Sequence, residues 1–456
     1  MLSDMDYRNE EMNMPRRKIM FSPPDISEEE IEEVGRVLRS GWITTGPKVK
    51  ELEELLADYL HVKKSVCLSS ATAAEELIFR VLQIGSGDEV IVPAYTYSAS
   101  ASAAIHVGAK VVFVDSQPDS AEMDYDALER AITPATKAIV AVDLGGVLCD
   151  YKKIYSIVER KREMFHPLEH QTDMLNRLGS RIQQKLGRIV IIADCAHALG
   201  SYQIVDGKKK MAGAIADFSF FSFHAVKNVT TGEGGAVTWN PTLFVDVSEE
   251  DKKYGEVTDQ EIYHMFQLLS LHGQSKDALA KSQLGSWEYD IVGAWYKCNM
   301  TDIMAAIGIK QLERYKEMLR KRQYIVEQYD RCCDELEIGH MVHEKKEMQS
   351  SRHLYITRIS GIDEQQRGEI MVEMVQRGIS CNVHYKPLPM MTAYHALGYK
   401  IEDYPNSYRL YQNEITLPLH TLLDKEDIDY VVENYKDVIA RSKKTFFGFE
   451  RMERSS

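Results

Sequence analysis

Short apolar runs alternate with amphipathic stretches through much of the chain, and that alternation limits the folds open to it. "SVCLSS" leads into "ATAAEELIFRVLQI", "DEVIVPA" into the small-residue stretch "SASASAAIHVG", and "KVVFVD" into "DYDALERAI". "KAIVAVD", "RIVIIAD", "ADFSFFSF" and "GGAVTW" follow. Nearly continuous apolar runs of this length read as strands buried on both faces. Strands separated by helices pair in parallel beneath a helical layer on each side. The expected class is therefore α/β with a mainly parallel sheet. In such sheets ligands sit beyond the carboxyl ends of the strands, so polar residues there are the first candidates for function.

Two helices precede the first strand. "DISEEEIEEVGRVLRSG" has Asp25 or Ser27 as its cap, acids in its first turns and Gly41 as its stop. "KELEELLADYLHV" carries apolar residues at three- and four-residue spacing. With 456 residues the chain is long enough for two domains. The expected division is an N-terminal arm over 1–20, a large domain over 21–314 and a small C-terminal α/β domain over 315–456. Within the large domain, 151–187 reads as an inserted helical hairpin, "IYSIVERKREMF" and "DMLNRLGSRIQQKL" around "HPLEHQTD". His166 and His170 lie in that insertion with Pro167 between them and no third ligand, so no metal site is expected.

A net charge of -14 argues against a broad nucleic-acid surface, while leaving room for a local basic pocket that holds a phosphate. No apolar stretch is long enough for a membrane span, and the polar N-terminus does not read as a secretory signal. The seven cysteines are scattered apart from Cys332 and Cys333, which suggests neither a disulfide framework nor a zinc cluster. A cytoplasmic protein is expected.

"FSFHAVKNVTTGEGGAV" places Lys227 between an aromatic-rich strand and a glycine-rich turn. A single lysine at such a junction is ordinarily solvated. Asp194 changes the weighing, because it ends the buried run "RIVIIAD". A lysine and a carboxylate are the two protein groups that a pyridoxal phosphate site needs, one for the carbonyl carbon and one for the pyridine nitrogen. "SSATAA" offers hydroxyls and free backbone N–H groups where a strand gives way to a helix, with Ser69 or Ser70 as a plain cap the simpler reading. Tyr95 or Tyr97 in "VPAYTY" could stack on a ring, or either could be core. These residues alone lead to an α/β enzyme with a phosphate-bearing ligand.

Three segments carry a closer likeness. "ADFSFFSFHAVKNVTTGEGGAV", "IADCAHALG" and "WYKCNMTDIMAAIGIKQL" resemble, position by position, those of the DegT/DnrJ/EryC1/StrS family of sugar aminotransferases. The likeness runs from "RSGWITTGPKVKELEELLADYL" to "YPNSYRLYQNEITLPLH" and the following helix. It implies a fold-type I pyridoxal phosphate enzyme, with a seven-stranded sheet in its large domain. Lys227 would bind the cofactor as a Schiff base, Asp194 would pair with the ring nitrogen, and His197 and Tyr97 would lie against the ring. Thr72, Ala73 and Ser222 would hold the phosphate, and Asn299 would reach the phosphate of a neighbouring subunit. Trp42, Thr44, Thr45, His384 and Tyr385 match segments that line the substrate side. A homodimer with shared active sites is implied.

The activity implied is amine transfer from L-glutamate to a nucleotide-diphosphate keto sugar, of the 4-keto-6-deoxy kind, for surface glycans. Lysine at position 227, where sugar dehydratases of similar sequence carry histidine, favours amine transfer. A keto-cyclitol substrate, or a non-catalytic regulator or scaffold, are the alternatives. Three features depart from the family pattern. Ala71 replaces a usual glycine, Cys298 replaces a usual aromatic, and 151–187 is longer than the usual connection. A methyl group at 71 requires that the backbone there avoid positive φ.

Overall fold

The computed structural model describes residues 17–169, 173–244, 256–276 and 288–453. Its centre is a seven-stranded sheet in the order β1-β9-β8-β5-β4-β2-β3. The strands are β1 (Ser65–Leu68), β2 (Glu89–Pro93), β3 (Lys110–Val114), β4 (Thr136–Val142) and β5 (Val190–Asp194), then β8 (Phe218–Ser222) and β9 (Gly235–Trp239). β6 (Tyr202–Val205) and β7 (Lys208–Met211) form a hairpin in a separate four-stranded sheet. β2, β3, β4, β5 and β8 run parallel, whereas β9 is antiparallel to both its neighbours. The sheet is thus mainly parallel, as the alternation predicts. β8 follows β5 by way of the β6–β7 hairpin, and β9 follows β8 through a loop that contains Lys227.

Period-two alternation divides each strand between two cores. Ile139, Ala141, Ile191 and Ala193 face one side, with α2 (Pro47–Leu60), α5 (Tyr125–Ala131), α6 (Tyr151–Arg160) and the start of α9 (Asp302–Leu336). Ala138, Val140, Val190 and Ile192 face the other, with α3 (Ala71–Val81), α4 (Ala99–His106), α7 (Met174–Leu186) and α8 (Asp259–Ser270). Apolar residues must therefore occupy every position of a central strand, and the near-continuous runs follow from this. In front of them, Ser27 caps α1 (Glu28–Ser40) in a capping box with Glu30, and Gly41 ends it at φ 76. Asp25, the other candidate cap, pairs instead with Arg314 in α9 at 3.1 Å.

Glu344–Lys345 and Met348–Gln349 complete the four-stranded sheet with β6 and β7, whereas Gly339–His340, Tyr355–Arg358 and Glu414–Leu417 form a small antiparallel sheet. It shares a core with the helices Glu364–Gln376 and Lys425–Glu453. α9 passes unbroken from the first core, at Tyr315 and Met318, to this one, at Ile325 and Tyr329. The expected domain boundary near 315 falls inside that helix. Ile19 belongs to the C-terminal core, bridging to Ile379, and Arg17 pairs with Asp424 at 3.2 Å. The end of the expected arm is thereby fastened; the rest of it lies outside the described residues.

The two helices of 151–187 do not form a free hairpin. Ile154, Ile157 and Val158 of α6 enter the core on one face of the sheet, whereas Leu178, Ile182 and Leu186 of α7 enter the core on the other. The insertion therefore wraps the sheet, and α7 docks against the end of α3, where Gln183 donates to the Leu82 carbonyl at 2.6 Å. His166 lies between the two helices, and its carbonyl accepts from Lys137. His170 lies outside the described residues.

Gly179, inside α7, marks how close that docking is. Alanine is ordinarily better than glycine in a helix by roughly 0.5–1 kcal/mol. Here an added Cβ would stand 2.6 Å from the Val81 carbonyl oxygen and 2.5 Å from Gln83 Cγ. Forcing atoms into a packed contact costs about 1–3 kcal/mol, which outweighs the propensity gain. Gly179→Ala should therefore lower the thermal unfolding midpoint. A variant more stable than the parent would show that α7 does not dock this closely.

Candidate functional site

Because β4, β5 and β8 run in parallel, their carboxyl ends open on one side of the sheet. There they border a cavity of about 600 Å³, which falls in the size range of small-molecule sites. Lys227, Asp194, His197, Tyr97, Thr72, Ser222, His384 and Tyr385 all line it. These eight of the sequence-predicted residues meet in one place, drawn from strand ends, a helix start and the C-terminal unit.

Asp194 is the last residue of β5 and is buried. Its Oδ2 accepts from Ser100 Oγ at 2.7 Å, and its Oδ1 accepts from the Ala196 N–H at 3.0 Å. Burial pushes this carboxyl above its usual range, while the two donors and the Lys227 charge pull it back. Burial also lowers the Lys227 amine to about 8, against the opposing pull of Asp194. Lys227 is therefore deprotonated far more readily than an exposed lysine, and the free amine is the form that can attack a carbonyl carbon. The loop that carries it is held at 2.9 Å by a bond from the Lys227 N–H to the His224 carbonyl.

His197 is buried and held neutral, chiefly by burial and then by the nearby Lys227 charge. The Gly145 N–H donates to its Nδ1 at 3.2 Å. A backbone N–H can only donate, so the His197 proton is on Nε2, which faces the Tyr385 hydroxyl at 3.3 Å. Gly145 must be glycine, since its φ is +64 and a Cβ would stand 2.4 Å from Met341 Sδ.

On the phosphate side, α3 begins directly after β1. Ser70 is its cap, accepting from the Ala73 N–H at 3.1 Å, and Ala71 is already helical. The methyl group at 71 is thus free of backbone strain. The constraint has moved across the sheet to Gly235, where a Cβ would stand 2.5 Å from the Ala71 nitrogen. Any side chain at 235 would fill the approach to the helix start. Thr72 and Ser222 line the cavity there, whereas Ala73 does not, its N–H being taken by Ser70. A poised amine, a buried carboxylate and a helix start bordered by hydroxyls are the donor set that pyridoxal phosphate requires, and the residues present fit that group.

The mouth is formed by Tyr97, which is 63% exposed and whose ring lies 5.9 Å from that of Tyr385. Tyr95 is core, packed with Leu144 and Leu354. His384 is held from behind by the C-terminal unit. Its N–H donates to Glu414 Oε1, its Nδ1 lies 3.0 Å from Thr416 Oγ1, and Thr416 Oγ1 donates to Glu414 Oε2 at 3.2 Å.

Trp42, Thr44, Thr45 and Asn299 lie elsewhere on this chain. Asn299 Nδ2 donates to Thr45 Oγ1 at 2.5 Å, Trp42 Nε1 donates to the Thr45 carbonyl at 3.2 Å, and the Thr44 carbonyl accepts from the Asp302 N–H at 3.1 Å. This cluster does not line the cavity. A wider groove of about 1670 Å³ between α6 and the β6–β7 hairpin is occupied by pairs such as Arg188 with Asp217 at 2.7 Å, and lacks that convergence. Sequence reasoning missed Ser100, hidden in a run of small residues, along with Asn228 and His353. His353 precedes the apolar strand "LYITRI", and that position was the only signal.

The model of the DegT/DnrJ/EryC1/StrS aminotransferase family matches residues 24–164 and 180–436. The segment it skips is the middle of the insertion. The chain is 33% identical over 428 residues to the spore coat polysaccharide biosynthesis protein SpsC of Bacillus subtilis, across 92% of this chain and 96% of that protein. Among solved structures, a putative sugar aminotransferase of Streptococcus pneumoniae, Spr1654, superposes with a TM-score of 0.84 in its PMP form. It is 52% identical, over 93% of this chain and 100% of that one. The PLP form of the same protein gives 0.84 at 50% identity, again over 93% and 100%. Helicobacter pylori PseC, an aminotransferase involved in the biosynthesis of pseudoaminic acid, gives 0.75 at 26%, also over 93% and 100%.

Glu414 makes the mouth sensitive to pH. Burial raises its carboxyl from 4.5 to about 8. The folded state therefore holds this proton more tightly than the unfolded chain. The group costs nothing at low pH and removes stability progressively as pH rises from about 5 to 8. Glu414→Gln keeps an acceptor for the His384 N–H and cannot ionise. Its thermal midpoint should exceed the parent's by an amount that grows over that range, to at least about 2 °C at pH 8. An equal difference at both ends of the range would refute this.

Proposed function

The chain belongs to the DegT/DnrJ/EryC1/StrS aminotransferase family, and on that premise we propose that it is a pyridoxal phosphate-dependent sugar aminotransferase of nucleotide-sugar and polysaccharide biosynthesis. The observation that carries this reading is the meeting of Lys227 and Asp194 in one buried cavity at the ends of parallel strands. The amino donor is L-glutamate, and the acceptor is a nucleotide-diphosphate keto sugar of the 4-keto-6-deoxy kind. The relatives named for spore coat polysaccharide and pseudoaminic acid biosynthesis support this class of acceptor. The enzyme works in the cytoplasm as a homodimer, in which Asn299 of the partner subunit reaches the phosphate.

When bound, pyridoxal phosphate supplies a ring that accepts electrons as the α-carbon of the amino donor loses its proton. Lys227 Nζ would hold the cofactor, and its amine would take up that proton and return it. Its lowered basicity near 8 suits both roles at neutral pH. Asp194 would hold the ring nitrogen, and its carboxylate favours a proton there. Its two donors, Ser100 and the Ala196 N–H, fix where the oxygens point. His197, with its proton on Nε2, and Tyr97 would hold the ring between them. Thr72 and Ser222 would hold the phosphate. His384 and Tyr385 cover the opening and limit water access on the side where the sugar enters.

Two experiments test the reading. The purified protein reconstituted with pyridoxal phosphate should show the visible band of a lysine-bound cofactor, and L-glutamate should bleach it. Lys227→Ala should lose the band, keep the fold by circular dichroism, and lower kcat by at least about 10³. An undiminished band in that variant would overturn the assignment of Lys227. For the acceptor, a panel of keto-sugar nucleotides with glutamate, read by mass spectrometry, should show a mass change of one amine for oxygen on at least one 4-keto-6-deoxy member. Failure of every sugar alongside turnover of a keto-cyclitol would move the assignment to cyclitols.

A further inference from the structure

His353 lines the cavity, yet it comes from the C-terminal unit, just ahead of the strand Tyr355–Arg358. It is buried, and its ring lies 4.3 Å from that of His197 at an angle of 39°. Its backbone N–H donates to the Gly145 carbonyl at 3.0 Å, and Gly145 in turn donates to His197. The side chain meets the residue next to Lys227, since His353 Nδ1 lies 2.9 Å from Asn228 Oδ1.

The direction of that last bond can be deduced. On its other side, the Asn228 amide lies 2.9 Å from the Ser351 carbonyl oxygen. A carbonyl only accepts, so the Asn228 NH₂ must point at Ser351, and the Asn228 oxygen at His353. His353 Nδ1 must then be the donor. Nε2 is left without a proton, and among the described residues it has no hydrogen-bond partner. The ring is neutral, because burial and the nearby His197, Lys227, Arg322 and His384 all disfavour its cation.

We infer that His353 is a positioning residue for the cofactor-bearing loop: its Nδ1–H locks the Asn228 side chain, and with it the backbone that carries Lys227. Without that donor the Asn228 oxygen is a buried acceptor with no partner, a state that costs enough to reshape a loop. Among the described residues the Asn228 side chain bonds to Ser351, Tyr315 and His353, and Ser22 Oγ holds the Val226 carbonyl on the other side of Lys227 at 3.1 Å. A shift of Lys227 Nζ by a fraction of an ångström away from the cofactor's carbonyl carbon weakens both retention and proton transfer.

The inference rests on Lys227 being the lysine that carries the cofactor, so the test begins by establishing that. Borohydride reduction of the loaded parent, followed by peptide mapping, should place the label on Lys227. A label on another lysine overturns both readings. With Lys227 confirmed, His353→Phe keeps a flat ring against His197 and removes the donor. His353→Gln removes the ring and keeps an amide donor for Asn228. The Kd for pyridoxal phosphate, from titration of the apoprotein, should rise about tenfold in His353→Phe and stay within about twofold of the parent in His353→Gln. Thermal midpoints of the two apoproteins should be similar, which separates positioning from general stability. An unchanged Kd in His353→Phe, or an equal loss in both variants, overturns the inference. So does a ¹⁵N-histidine spectrum of the parent that shows His353 protonated on Nε2, a result that needs no variant to fold.

Discussion

The parallel pairing of β5 between β4 and β8 is the constraint on which the rest of the site depends. Its register sets Val142 beside Asp194 and Asp194 beside Phe220, so β4 and β5 end level with each other and β8 runs two residues further, to Ser222. Everything that follows those exits, Asp143 to Gly146, Cys195 to His197 and Ser222 to Lys227, is confined to a shallow layer. A shift of one residue in β5 would exchange its faces and turn Asp194 from the α4 side, where Ser100 waits, to the α6 side. The hydrophobic alternation that builds two cores therefore also aims the carboxylate. Fold stability and site geometry share one cause here, which is why the apolar runs are so regular close to the chemistry.

The C-terminal unit closes the site and is not merely attached beside it. Ser351 N–H donates to Ser201 Oγ at 2.8 Å, and Ser201 Oγ donates to the Gly146 carbonyl at 2.7 Å. His353 reaches Gly145 and Asn228, and Tyr385 reaches His197. α9 runs through both cores and leaves no flexible linker between them. The two faces of the cavity are thus held by short polar links whose partners lie far apart in sequence. Such links give orientation where an apolar contact would allow sliding.

How much of this was legible in the sequence depended on the range of each interaction. Strands and capped helices follow local rules, so the central sheet, a cap at Asp25 or Ser27 and the Gly41 stop could be read directly. Lys227 and Asp194 could be read as residue types at strand ends, and their meeting required only a parallel sheet. The two faces taken by α6 and α7 could not be read, because both helices are amphipathic and neither pattern says which side of the sheet receives it. Ser100 was hidden for another reason: within "SASASAA" its hydroxyl is indistinguishable from its neighbours until α4 turns it toward Asp194. Asn228, His353 and Glu414 act through partners across more than one element. No window of sequence contains both ends of those bonds. The cluster of Trp42, Thr44, Thr45 and Asn299 was legible only through family resemblance, and this chain places it away from its own cavity.

Electrostatics then explains why one carboxylate among several suits the site. Asp143 also borders the cavity, but Cys149 N–H and Tyr151 O–H occupy its two oxygens at 2.9 Å each, and burial raises its carboxyl to about 7. Glu75, buried in α3, has no hydrogen-bond partner among the described residues for either oxygen, and burial together with Asp194 keeps it protonated. Glu414 holds its proton up to about 8. Glu75 and Glu414 are therefore mainly neutral near pH 7 and Asp143 is only partly ionised, so together they add less negative charge around Asp194 than three free carboxylates would. If they were ionised, their repulsion would push the Asp194 carboxyl up and draw Lys227 toward its ammonium form, opposing both requirements at once. Two donors aimed at Asp194, and a cation across the cavity, leave it as the acid best able to stay charged. Burial strips charge from the surroundings and hydrogen bonds restore it at one position. The contrast between them, more than any single pair distance, gives a ring nitrogen one anionic partner to meet.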